Sequence, residues 1–336
     1  MINVVIPSTK KKRIVTGNYN TGIRYVKILH KLGVNSHLTF DYEFESTITK
    51  TKSAIILHAK KNHKTAIKCQ EKLIPYVLVL TGTDIYSDLT KKNSPCFKKC
   101  IESIFGARAI VVLQPDAKKK LLEIIPDLRI KIYVIFQSSN INAQNKKLNK
   151  NDKEISILMV GNIRREKNTL QGINGFLDVY SNCNGMNGCQ IKLTHIGMGL
   201  EDSYTNIVKK QGKKNRSISF LGFRDNSEVI RIMSDSDLLL NPSIVEGGCL
   251  VVKEAIDLNL PVLASDIGCH KEMLGSKYPG FFLAKNCNSL SKKLKTFFLE
   301  KKVRKLWEKS LMNSPLAYYK EQDEAKLLAE VANLTL

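Results

Sequence analysis

Short apolar runs recur along the whole chain. Ile2–Ile6, Ser53–Leu57, Tyr76–Leu80, Ala109–Leu113 and Lys131–Ile135 mark the first half, and Ile155–Val160, Ile191–Ile196, Ile218–Leu221, Leu238–Leu240 and Pro261–Ala264 the second. They are mostly β-branched and leucine-rich, with little of the polar alternation of a half-solvated strand, which predicts strands buried on both faces. Helix-length polar or amphipathic segments separate them, with helices predicted at about Thr21–Leu32 and Asn168–Tyr180. Both halves open alike: an apolar run, a glycine-bearing loop (Thr16-Gly17-Asn18, then Gly161) and a helical pattern. The alternation predicts an α/β protein of two doubly wound, Rossmann-like parallel-sheet domains, with ligands at the carboxyl ends of the strands in a central cleft that the domains face.

A polar stretch without period, Asn140–Lys153, reads as the linker. It separates a first domain at residues 1–145, expected to bind the acceptor, from a second at 154–300, expected to bind the donor. Residues 301–336 are expected to be C-terminal helices that pack back toward the first domain. From about Ser289 the pattern is amphipathic helix to the end, with Phe297, Phe298, Leu306 and Trp307 as packing residues. A length of 336 residues suits two ordinary cores.

Charge and cysteine usage modify this picture only slightly. The formal charge is +22, from 53 Lys and Arg against 31 Asp and Glu, but the lysines are spread along the chain with many Asn and Ile, as in a compositional drift. No basic stripe is interleaved with aromatic residues, so nucleic acid is not an expected partner. Of eight cysteines, Cys96 and Cys100 are closely spaced but lack a second pair or a nearby histidine, so all are read as free buried thiols and no metal is expected. The segment Met1–Pro7 is too short and uncharged for a signal peptide, and no apolar run reaches membrane-spanning length. A cytoplasmic location without stable membrane insertion is the expectation; the oligomeric state is left open.

Three loops after strands carry the candidate chemistry. In Pro242–Ala255, Gly247 and Gly248 let a ligand approach the backbone as they open a helix, whose free N–H groups suit hydroxyls or phosphate. Glu254, eight residues after Glu246 and so about two helical turns on, can accept from a second polyol while Glu246 holds the first. In Val160–Asn168, Arg164 and Lys167 can neutralise a diphosphate, the arginine with a bidentate fork. In Leu80–Leu89, Thr81, Gly82 and Thr83 offer hydroxyls and an open backbone, with Asp84 as a polar or capping carboxylate. A capped surface helix or a solvated basic loop would show the same letters. His58 and His195 each sit late in a predicted strand; a satisfied polar residue is the plainer reading of both.

Glu246 and Glu254, with seven residues between them, resemble the paired glutamates of GT4-type retaining glycosyltransferases of the GT-B fold. That resemblance implies that Glu246 lies by the donor sugar, that Gly247, Gly248, Cys249 and Leu250 contact sugar and phosphate, and that Glu254 binds the nucleotide ribose. The Gly161 loop resembles the family's diphosphate loop, with Lys167 on the family lysine. Asn162 stands where the family arginine is usual, so that role passes to Arg164. The Thr81–Asp84 segment, Gly17-Asn18, Arg24-Tyr25, Leu57-His58-Ala59-Lys60, Val111–Pro115, Phe136-Gln137-Ser138 and Tyr278–Phe281 resemble the SenB family of selenosugar synthases of selenoneine biosynthesis. Asn140–Lys153, Asn182–Gly188 and Cys249-Leu250 depart from it. This second resemblance implies a reaction in which selenophosphate attacks a UDP-sugar, UDP-GlcNAc or UDP-Glc, giving a selenosugar, UDP and phosphate without a metal or other cofactor. The acceptor residues it implies are Gly17, Asn18, Arg24, His58, Lys60, Thr81, Gly82, Thr83, Asp84, Gln137 and Ser138. The alternatives are another small-molecule, lipid or cell-envelope acceptor, with Lys10–Arg13 as a membrane contact, and a non-catalytic domain pair.

Overall fold

The structure is a computed structural model that describes residues 1–8, 16–141, 154–186 and 189–333. Lys10–Arg13, all but the start of Asn140–Lys153, and the end of Asn182–Gly188 lie outside them. By its contacts the chain divides into two units. The first comprises Met1–Ser138, Glu246–Gly248 and Tyr319–Leu336, and the second Ser139–Val245 and Cys249–Tyr318.

The first unit is built on strands β1 (Ile2–Ile6), β2 (Ser36–Phe40), β3 (Ser53–Leu57), β4 (Tyr76–Leu80), β5 (Ala109–Val112) and β6 (Ile132–Val134). All pairings are parallel, in the order β2-β1-β3-β4-β5-β6. The continuous apolar runs follow from coverage of both faces. Val5, Ile56, Leu78, Leu80, Ile110 and Val112 enter one core, and their strand neighbours Val4, Ile6, Ile55, Leu57, Val77, Val79 and Val111 enter another. The second core is completed by Leu328, Val331 and Ala332 of the helix Glu321–Asn333.

The second unit repeats the scheme with β7 (Glu154–Val160), β8 (Gln190–Ile196), β9 (Ile218–Gly222), β10 (Leu238–Asn241), β11 (Val262–Ser265) and β12 (Phe281–Phe282). Its order is β12-β11-β10-β7-β8-β9, again all parallel. Helices Thr169–Cys183 and Cys287–Leu299 pack against each other beside it.

Four features differ from the sequence reading. β2 and β12 were not expected; both are edge strands, β2 being partly solvated and polar and β12 only two residues long. The C-terminal region is three helices, Cys287–Leu299, Lys301–Leu311 and Glu321–Asn333, broken first by the extended backbone of Glu300. Phe297, Phe298 and Trp307 are buried, the Phe297 and Trp307 rings 5.1 Å apart, but Leu306 is 54% exposed and is not a packing residue. The first helix runs from Gly17 to Lys31, earlier than expected, because the Thr16 hydroxyl accepts from the Tyr19 amide at 3.3 Å. Cysteine burial is also uneven: Cys96, Cys189 and Cys287 are only half-buried, although all eight are free.

Glu324 ties the last helix to its sheet. Fully buried, it accepts from Arg24 Nε at 3.0 Å, from the Ser138 amide at 2.8 Å and from Ser138 Oγ at 2.5 Å. Removing it strands the guanidinium, whose side chain is only 12% exposed. Glu324→Ala is expected to cost about 3–5 kcal/mol, with Glu324→Gln losing less because it keeps the acceptor oxygen. Denaturant unfolding checks both; a shift under 1 kcal/mol for the alanine variant, on the order of a surface change, would contradict the role.

Candidate functional site

In the first sheet the strand order reverses between β1 and β3, the position at which doubly wound sheets bind ligands beyond their strand ends. His58 directly follows β3 in a left-handed conformation, φ 74°, and its amide donates to the Val79 carbonyl of the neighbouring strand at 2.8 Å. Its ring is 1% exposed, with Nε2 3.0 Å from the Thr83 hydroxyl and Nδ1 3.7 Å from Asp84. Burial pulls the ring's pKa down from 6.5 to about 4, only partly opposed by Asp84, so the imidazole is neutral near pH 7. It therefore fixes the Thr83 hydroxyl rather than bringing a charge to the site.

Asp84 is the organiser of this loop. Wholly buried, it accepts from the amides of Thr81 (3.1 Å), Gly82 (2.8 Å), Ile85 (3.1 Å) and Ala59 (3.3 Å), joining the ends of β3 and β4. The backbone thus drawn in has no room for side chains. A Cβ on Gly247 would stand 2.1 Å from the Thr81 carbonyl oxygen, and one on Gly82, φ 122°, 2.7 Å from the Gly247 nitrogen. Gly247 and Gly82 are therefore explained by close backbone packing within the first unit, while a Cβ on Gly248 would stand 2.6 Å from Leu113 Cβ.

A second cluster gathers Arg24, Gln137 and Ser138 around Glu324. Gln137, with its amide turned to satisfy both sides, accepts from Thr21 Oγ1 at 2.7 Å and Arg24 Nη2 at 2.9 Å and donates to the Gly248 carbonyl at 2.6 Å. Lys60 is held separately, by Asp88 at 2.5 Å. The two cations assigned to an anionic acceptor thus each face a carboxylate. Gly17 and Asn18 lie in the first helical turn, where a Cβ on Gly17 would meet nothing, so sterics do not require that glycine.

The second sheet reverses between β7 and β10, and the loops that follow those strands are joined: the Ile244 amide donates to the Glu166 carbonyl at 2.8 Å. Lys167 lies along Gly161, φ 149°, with its Cε 3.5 Å from where a Cβ would stand. Asn162 does not occupy an arginine's role here: its Oδ1 accepts from the Met198 amide at 2.9 Å and binds the β7 loop to the β8 loop. Beneath the loop lies His195, 1% exposed, whose pKa burial lowers to about 4 against a backbone hydrogen bond with Gly161. Arg164 is half-buried, and its Nε has no hydrogen-bond partner.

The spacing between the two glutamates is corrected. The helix begins only at Leu250, and Glu246–Cys249 is not helical, so the eight-residue interval is a bent loop followed by one turn of helix rather than two turns. Consecutive glycines disfavour helix, which accounts for the late start. Glu254 lies within Leu250–Asp257 and is 5% exposed. Cys249 accepts from Asn241 Nδ2 at 3.0 Å and precedes that helix without capping it. Sequence reasoning missed Glu324 and Asp88, while His195 has the structural role that was its plainer reading. Glu324 had a signal: it shares a helical stripe with Leu328 and Val331, where a carboxylate needs a buried partner.

The family model described as glycosyl transferases group 1 matches residues 140–311, slightly more than half of the chain. The curated relative Protein CapJ of Staphylococcus aureus is 28% identical over 117 residues, which are 35% of this chain and only 29% of that protein. Among solved structures, HepE of Anabaena in complex with UDP and glucose aligns over 99% of both chains, with a TM-score of 0.74 and 14% identity. Sucrose-phosphate synthase of Thermosynechococcus elongatus covers 99% of this chain and 98% of its own, with a TM-score of 0.77 and 12% identity.

Two of the buried histidines, His58 and His195, set an acid limit. Each ring takes a proton near pH 6.5 when exposed but only near 4 in the fold, so the unfolded state binds more protons between those values. Stability is therefore complete above about pH 6.5, falls on acidification and levels off below about pH 4, by on the order of 3 kcal/mol per ring. Urea unfolding at about pH 7 and about pH 5 measures this; for His58→Gln and His195→Gln, the loss between the two should shrink.

Proposed function

The chain belongs to the glycosyl transferases group 1 and has their GT-B fold of two Rossmann-like units, and on that premise we propose that it transfers a sugar from a UDP-sugar to a small acceptor with retention at the anomeric carbon. The observation that carries this reading is the junction at the reversal of the second sheet, where the Ile244–Glu166 bond joins the β10 loop to the one bearing Gly161, Arg164 and Lys167. Such a junction suits a nucleotide diphosphate, with bare backbone at Gly161 and cations beside it. The likeness to HepE, whose structure holds UDP and glucose, supports uridine as the carrier.

In this reading Glu254 accepts from the ribose hydroxyls, and Glu246 with the amides of Gly247 and Gly248 meets the sugar. The bond from the anomeric carbon to the diphosphate breaks with its electron pair going to UDP, and Arg164 and Lys167 stabilise that charge. The acceptor atom bonds to the same face of the sugar, and where that atom is a hydroxyl oxygen its proton passes to the departing diphosphate. No metal or other cofactor enters the proposal.

The acceptor that the SenB resemblance names is selenophosphate, a strong nucleophile that needs positioning rather than a strong base. A second reading, a neutral hydroxyl acceptor, is favoured by the pairing of Arg24 with Glu324 and of Lys60 with Asp88, which leaves less positive charge for an anion. Incubation with selenophosphate and either UDP-GlcNAc or UDP-Glc separates them. A selenosugar detected by mass spectrometry supports the first; UDP release only with a polyol acceptor supports the second.

Replacing Glu254 tests the donor assignment independently of the acceptor. Glu254→Ala is expected to weaken UDP binding by about tenfold or more, since hydrogen bonds to a charged group contribute about 1.5–3 kcal/mol. Titration calorimetry measures it, and an unchanged affinity removes Glu254 from the ribose site.

A further inference from the structure

Exposed apolar side chains are concentrated in one stretch of the second unit. Of the twelve large ones that stand exposed among the described residues, Leu283, Leu299, Leu306, Met312 and Tyr318 fall between positions 283 and 318. The same stretch carries nine Lys and Arg against two Glu, a bias well beyond that of the chain as a whole. The helix Lys301–Leu311 shows how the two are arranged. Trp307 and Leu311 are buried on one side, while Lys302, Lys305, Leu306 and Lys309, spaced as one helical face, are exposed on the other. Leu299 and Met312, 39% and 59% exposed, flank the helix at its two ends. The helix's one acidic residue, Glu308, is off that face, half-buried and accepting from Asn259 at 3.2 Å.

Lysines alone would make an ordinary solvated face, and large apolar side chains alone a protein contact. Together they suit a surface that is anionic at its rim and apolar just beneath. We propose that the face of helix Lys301–Leu311, with Leu299 and Met312, docks on the anionic surface of a lipid bilayer. The lysines meet headgroup phosphates, and Leu306 and Met312 reach the acyl boundary. No helix among the described residues is long and apolar enough to cross a membrane, so the helix lies along the surface. A nucleic acid would engage the lysines but leave Leu306 and Met312 facing water. The inference goes beyond the transfer reaction and depends on neither its donor nor its acceptor.

Co-sedimentation of the full chain with vesicles tests it. Binding is expected to phosphatidylcholine vesicles containing phosphatidylglycerol and not to phosphatidylcholine alone. The variant Lys302→Glu/Lys305→Glu/Lys309→Glu should bind at least about tenfold more weakly, given roughly fivefold per lysine. Leu306→Ser/Met312→Ser, which leaves the charge unchanged, should also weaken binding severalfold. A charge-matched control, Lys213→Glu/Lys214→Glu/Arg216→Glu at exposed positions elsewhere in the unit, should retain it. All of these sites are exposed, so thermal unfolding should be unchanged. The proposal is overturned if the wild type ignores anionic vesicles or if the control loses as much as the helix variant. It also fails if the serine variant binds like the wild type, since an RNA or a merely basic surface would then account for the attraction.

Discussion

Parallel strands have to be covered on both faces, and most of what can be said of this chain depends on that constraint. It makes the strands continuously apolar, pushes every polar choice into the loops at their ends, and requires a helix for each face. In the first unit that requirement draws in residues from far along the chain, because the core lined by Val4, Ile55 and Val77 is closed by Leu328, Val331 and Ala332. The Glu324 carboxylate then lies against Arg24 and Ser138, so the covering helix also fixes residues at a candidate site. Fold and site therefore share a contact in this unit, and loosening one loosens the other.

The same constraint decided what could be read from the sequence. Ile2–Ile6, Ser53–Leu57 and Tyr76–Leu80 matched their strands residue for residue because a doubly covered strand leaves an unbroken apolar run. Ser36–Phe40 escaped because an edge strand with a polar, partly solvated face has no such signature. Leu306 was misassigned for a related reason: helical spacing identifies a face, but not whether anything covers it. The glutamates at 246 and 254 were legible as a pair, while their geometry was not, since spacing counted in helical turns presumes a helix where two glycines deny one. Long-range pairs such as Arg24–Glu324 leave no local trace, apart from an acidic residue standing where the stripe demands an apolar one.

The histidines show how burial changes the meaning of a residue type. Both were singled out because they end strands, and both prove to be neutral supports beneath loops, His58 under Thr83 and His195 under Gly161. A buried imidazole contributes a directional hydrogen bond without a charge that would need compensation. Each loop thus keeps a fixed shape at neutral pH, and the supports weaken together on acidification.

Charge is matched in both units, in the second by the buried Lys253–Asp257 pair. In the first, Arg24 and Lys60 are matched by Glu324 and Asp88, while Asp84 spends its oxygens on backbone amides. What remains open around Thr81–Thr83 is hydroxyls rather than amides, since the Thr81 and Gly82 amides are taken up by Asp84. In the second, the Lys167 side chain lies along the backbone of Gly161, and Arg164 is half-buried with an Nε that has no hydrogen-bond partner. Of Arg24 and Lys60, the lysine is the less deeply held, with 31% of its side chain exposed, so an anionic acceptor would find its charge there first.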